Sequence, residues 1–161
     1  MNSKQFLARH VLKMLKSHKI IPSINVFLDI EKLTQHSFMG LVRLNMVNEC
    51  ESSCVGAIYL AYSELIKQLH ISDLDFNYNV RLSSKIDDIF SDYELRNMEL
   101  FFCGDYPYSL TRNYFGYYAE QFYKKYSTID RFKRIFKHII KYEQFNTSIF
   151  YRTQGLFYAK T

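Results

Sequence analysis

Tryptophan is absent from this 161-residue chain, proline occurs twice and glycine five times. The glycines are scattered, so neither a phosphate-cradling loop nor a dinucleotide-binding fingerprint can be written, and nucleotide enzymes built on those motifs are disfavoured. Cysteine is almost as scarce. Cys50, Cys54 and Cys103 are an odd number at irregular spacing with no secretory leader before them, which points to an intracellular, reduced protein of the cytoplasm or nucleus. Long apolar runs are missing as well: the longest charge-free stretch, 52–63, is far short of the ~20 apolar residues of a membrane span. No transmembrane segment is expected. Finally, no acidic residue precedes Asp29, so the start of the chain is purely basic.

Against these absences stand 14 Phe and 14 Tyr. AT-rich genes supply Phe, Tyr, Ile, Asn and Lys, as in large DNA viruses, mobile elements and AT-rich microbes, and part of the bias reports such an origin. Structurally, the aromatic side chains take the place of Leu and Val in a core. With 48% hydrophobic and 23% charged residues the composition is globular. A chain of this length buries roughly 70% of its unfolded surface, so one domain spanning 1–161 is expected.

Periodicity outlines the elements. Leu7, Val11, Met14, Leu15 and His18 share a side of an amphipathic helix whose back carries Lys4, Arg9, Lys13, Lys16 and Lys19, with Pro22 as its terminator. Phe38, Leu41, Val42 and Met46 are at helical spacing. Ser52 or Ser53 caps a central helix with Val55, Ile58, Tyr59, Tyr62, Leu65, Ile66 and Leu69 on its apolar positions, of which Ile58, Tyr62 and Ile66 are expected to be buried, and with small residues Gly56, Ala57 and Ala61 admitting another helix. Strict alternation from Leu74 to Leu82 predicts a strand. Ser83 or Ser84 opens a helix with Ile86, Ile89, Phe90, Tyr93 and Phe101, and 103–107 reads as a turn. A helix over 109–126 turns Phe115, Tyr118 and Phe122 inward. Ser127 with Asp130 resembles a capping box for a helix with Ile129, Phe132, Ile135, Phe136, Ile139 and Ile140 inward and Arg131, Lys133, Arg134, Lys137 and Lys141 outward. The runs 147–152 and 156–160, joined by Thr153-Gln154-Gly155, predict a hairpin. The expected fold is therefore mainly α, an α+β class: a compact helical domain with a small antiparallel β element and a C-terminal β-hairpin.

Charge is divided unevenly. Residues 1–70 carry eight basic against five acidic side chains, 71–108 three against eight, and 109–161 ten against three. An acidic middle beside a basic end either faces that end within one molecule or leaves the end for an anionic partner.

Candidate chemistry is thin. Cys50, Cys54, His36 and His70 can be drawn around a metal, but the four-residue cysteine spacing and the missing second pair argue against it. Cys103 lacks any local nucleophile signature. Asp87-Asp88 and Asp92-Glu94 are neighbours on a helix and so face different ways. No catalytic residue, cofactor or metal is assigned.

The expected function is a non-catalytic protein-interaction or assembly protein whose basic, aromatic C-terminal region contacts a protein partner, either acidic or another copy of the chain. The site residues are Arg131, Lys133, Arg134, Lys137 and Lys141. The alternative is a nucleic-acid-binding regulator with a winged-helix-like C-terminal region. The N-terminal helix also suits peripheral contact with an anionic membrane or organelle import, though docking on the core is the favoured reading.

Overall fold

The structure, a computed structural model, describes residues 1–73, 84–104 and 116–156. It is mainly helical, with two small two-stranded sheets among the described residues. The expected strand at 74–82, most of the 103–107 turn, residues 109–115 and the second hairpin run beyond Leu156 lie outside the described residues.

Helix α1 (Ser3–Lys16) opens with a reciprocal capping box, Gln5 N–H donating to the Asn2 side chain while Asn2 N–H donates to Gln5. Leu7, Ala8, Val11 and Met14 form its buried stripe. Pro22 does not end it. The helix stops at Lys16, His18 takes a left-handed φ of 58°, and Pro22 sits six residues on in β1 (Ile20–Pro22).

The segment expected to be a connector and one helix through Phe38, Leu41, Val42 and Met46 is several short elements. Asp29 caps α2 (Ile30–Gln35) by accepting from Lys32 N–H, and β2 (Ser37–Phe38) turns back onto β3 (Leu41–Val42). Met39 and Gly40 both have positive φ, 52° and 80°. That pair makes the tight turn of a hairpin and cannot continue a helix. Strand β4 (Cys50–Ser52) then pairs in parallel with β1, Ile20 opposite Cys50 and Pro22 opposite Ser52.

Helix α3 (Cys54–Ile66) is capped by Ser53, which accepts from Gly56 N–H. Ala57, Ile58, Leu60 and Ala61 are fully buried. Ile66, expected to be buried, is 45% exposed, because the helix ends there and Lys67 turns left-handed. Gly56 is small for a different reason from the one its neighbours imply. A Cβ there would sit 1.9 Å from the carbonyl oxygen of Phe27, so a loop backbone, not a helix, makes the close approach.

The expected single helix after residue 83 is two, α4 (Ser84–Asp87) and α5 (Asp92–Cys103). Ser91 intervenes as an N-cap whose box partner is Glu94, and a cap of that kind starts a helix afresh. Gly104 closes α5 at φ 78°. Then follow α6 (Gly116–Lys125), α7 (Thr128–Tyr142) and α8 (Thr147–Thr153). The last corrects the hairpin: Asn146 caps it by accepting from Ile149 N–H at 3.0 Å. Gly155 does adopt a left-handed φ of 67°, but it follows a helix.

Phenylalanine fills the centre. Phe90, Phe101, Phe102, Phe122, Phe132, Phe136 and Phe150 are each under 2% exposed. Phe101, Phe122 and Phe150 meet edge to face at 5.1–5.8 Å, the geometry that aligns ring edges with ring faces.

Candidate interaction surface

The basic residues of α7 divide into three groups. Lys133, Arg134, Lys137 and Lys141 are exposed. Arg131, expected outward with them, is only 3% exposed. Its Nε donates to Phe102 O at 2.8 Å, one terminal nitrogen donates to Tyr126 O at 2.6 Å and Tyr123 O at 3.3 Å, and the other donates to Thr128 Oγ1. These carbonyls belong to the ends of α5 and α6, which have no intrahelical partner. Arg131 therefore staples three helices, its guanidinium 4.2 Å from the Tyr123 ring, with burial pulling its pKa down. Arg134 is half engaged, donating to Gln154 Oε1 at 3.0 Å and lying 3.9 Å from the Tyr126 ring. Lys133, Lys137 and Lys141 form the open row.

Helix α1 runs antiparallel beside that row. Asn2 Nδ2 donates to Glu143 O and Gln5 Nε2 to Ile140 O, both within 2.9 Å, so the start of α1 meets the end of α7. Both helices also touch β1, and a groove of about 500 Å³ is lined by all three. Its floor is Leu12, Leu15, Ile20 and Pro22, and Ile21 and Ile129 stand on its margin, 41% and 48% exposed. Ile129, expected inward, faces this groove instead of the core. Lys133 and Lys137 rise from α7, Lys16 and His18 from the end of α1. Ile129, Lys133 and Lys137 are four residues apart, one stripe running ~12 Å along α7.

Among the described residues no carboxylate lines the groove. Asp130 and Glu51, next to Ile129 in sequence and opposite Ile21 in the sheet respectively, stay outside its lining. Of this surface, the sequence assigned to partner binding only Lys133 and Lys137 of α7. It missed Leu12, Ile20 and Ile21; the signal was the adjacent isoleucine pair before Pro22, too short a run to mark a strand.

The titratable groups with displaced pKa values lie elsewhere. Glu99 accepts Val55 N–H at 2.7 Å on the first turn of α3 and receives the Cys103 thiol at 3.7 Å; burial raises its carboxyl pKa. Burial, with Glu99 adding to it, also pushes the Cys54 and Cys103 thiols up. A thiol held protonated is a poor nucleophile. Burial and Asp29 push Cys50 up to about 11. Among the described residues no three His, Cys, Asp or Glu side chains converge as metal ligands. Asp87, Asp88 and Asp92 are exposed. Glu94 is 6% exposed and takes Lys4 Nζ at 2.8 Å with the backbone N–H groups of Ser91 and Phe145.

No helix among the described residues is long and apolar enough to cross a membrane. No protein-family model, curated protein or solved structure matches this chain.

Proposed function

We propose that this chain is a non-catalytic interaction and assembly protein that receives an acidic partner in the groove between α1, β1 and α7. The observation that carries this reading is the pairing of an apolar floor with a rim of Lys16, His18, Lys133 and Lys137 and, among the described residues, no carboxylate in the lining. Partners recognised in this way bury apolar anchors and use rim charge for selection and steering. Lys141 and Arg134 extend the same positive field along α7. Arg131 is assigned to the fold. Glu99, Cys54 and Cys103 are likewise engaged with each other and with the start of α3, which supports a structural role for them over a catalytic one.

The test uses a synthetic amphipathic peptide with a leucine stripe flanked by glutamates. It binds saturably, and Lys133→Glu/Lys137→Glu weakens it at least about tenfold, ~1.4 kcal/mol. A counterpart with lysine for glutamate does not bind. Equal binding of both peptides overturns the reading, and so does robust hydrolase or transferase turnover that vanishes in Cys103→Ala. The nucleic-acid alternative relied on a hairpin wing after α7, where α8 stands. Duplex DNA is accordingly expected to bind weakly, with a log-log salt slope of about 0.9 per neutralised phosphate. Tight, sequence-selective binding lost in a Lys133, Arg134, Lys137 to Gln variant would reinstate that alternative.

A further inference from the structure

We infer that the partner is a second copy of this chain, joined head to tail, with the acidic ridge at the start of α5 in one copy seated in the groove of the next. The inference rests on the groove being an interaction surface and adds what fills it.

Three observations converge on that occupant. The first is position. Lys4 Nζ reaches Glu94 at 2.8 Å and lies 5.7 Å from the Phe90 ring, so the α4–α5 junction is pinned to the start of α1. Leu12 and Lys16 of the groove come eight to twelve residues later, ~12–18 Å along the same helix. The two patches therefore occupy opposite ends of α1, and neither can satisfy the other within one molecule.

The second is charge. Asp87, Asp88 and Asp92 are exposed on this ridge. Asp92 meets Arg96 at 2.8 Å, but with the side chains 75% and 63% exposed that pair is weak and easily exchanged. Three carboxylates thus face solvent at the start of α1, while the groove lysines Lys16, Lys133 and Lys137 face it at the far end, which separates charge on the surface as the acidic middle and basic end separate it in the sequence.

The third is the apolar match. Tyr93, within the ridge, is 60% exposed, and Phe6, on the first turns of α1, is 53% exposed. An acidic pole that offers aromatic side chains complements a groove with an aliphatic floor and a lysine rim, in shape of charge and in apolar character together.

Because the joined surfaces differ, the contact is heterologous. It does not close at two copies but extends into open chains or a ring. Screening of exposed charge makes it sensitive to salt.

Sedimentation velocity over a wide concentration range tests this. The protein at low salt grows in mass past the dimer as concentration rises and returns to monomer at high salt, and the acidic peptide disperses the chains. Lys133→Glu/Lys137→Glu and Asp88→Lys/Asp92→Lys are each monomeric alone. Mixed in equal amounts they associate to at least twice the monomer mass, the intact ridge of the first in the intact groove of the second. Circular dichroism checks that each is folded, and the neutral versions, Lys133→Gln/Lys137→Gln and Asp88→Asn/Asp92→Asn, stand in if a reversal does not fold. Wild-type protein that stays monomeric, growth that stops at a dimer, or a mixture that stays monomeric each overturns head-to-tail assembly. If the peptide still binds in those cases, the groove stands as an interaction surface for a different acidic partner; if the peptide fails too, both readings fall.

Discussion

Arg131 is the residue whose surroundings depart most from its type. A cation at 3% exposure is tolerable because its fork is spent on the carbonyls of Phe102, Tyr123 and Tyr126 and on Thr128. Removing it leaves buried acceptors without donors, so Arg131→Ala should cost about 3 kcal/mol in urea-unfolding stability. Lysine should recover little, since a single ammonium cannot span the same carbonyls. An Arg131→Lys protein as stable as wild type would show that only the charge matters. Its place was partly legible: Arg131 shares an arc of α7 with Ile135 and His138, four and seven residues on, both buried. Basic character outweighed that arc in the sequence reading.

His138 sets a pH dependence. It is 4% exposed, packed against Tyr142, Phe145 and Phe150, and its Nε2 meets no hydrogen-bond partner among the described residues. Burial lowers its pKa to about 4, Lys141 adding to the shift while a bond to the Asn146 backbone opposes it. The folded pKa lies below the unfolded value of 6.5, so the neutral ring is at no disadvantage above pH 6.5. As pH falls from 6.5 toward 4 the unfolded chain gains a proton that the folded one refuses, and up to ~3 kcal/mol of stability is lost. Glu99, with a raised pKa, acts in the opposite sense: the fold loses stability as pH climbs above 4.5. Comparing wild type with His138→Phe in denaturant melts cancels the Glu99 effect. Wild type should lose stability relative to the variant as pH falls below 6.5; a constant difference would mean that His138 is protonated in the fold.

At the scale of elements, α3 offers a paired test. Ile58 is fully buried and Ile66 is 45% exposed on one helix. Ile58→Ala should cost about 2–5 kcal/mol, and Ile66→Ala should stay within about 0.5 kcal/mol. Equal shifts in the denaturant midpoint would place the core face of α3 elsewhere. The periodicity of α3 gave its start, its cap and most of its buried face. Its end was not visible, because Leu65 and Ile66 continue the apolar pattern past the point where the neighbouring elements stop covering it. The region 147–153 shows the converse error. Thr147, Ile149 and Phe150 favour a strand by propensity, yet the Asn146 cap and the place of Phe150 among Phe101, Phe122 and Phe145 select a helix. Tertiary packing overrides local preference for so short an element.

For the molecule as a whole, α1 is part of the core. Leu7, Ala8, Val11 and Met14 are at most 3% exposed, and α1 touches both α3 and α7. Deleting residues 1–16 should abolish cooperative thermal unfolding. A truncated protein with an unchanged sharp transition would show that α1 is an appendage. The helical class, the central helix and the lysine row were legible because each is a local, periodic pattern. The groove was not, since it is lined by two helices distant in sequence and by a three-residue strand, and no local pattern encodes that juxtaposition. The hydrogen bonds from Asn2 to Glu143 and from Gln5 to Ile140 join residues 141 and 135 positions apart. During synthesis α1 therefore emerges long before the helix that covers it. Its apolar stripe can pack on α3 early but is not fully covered until α7 has been made, so the groove between α1, β1 and α7 is among the last features to form.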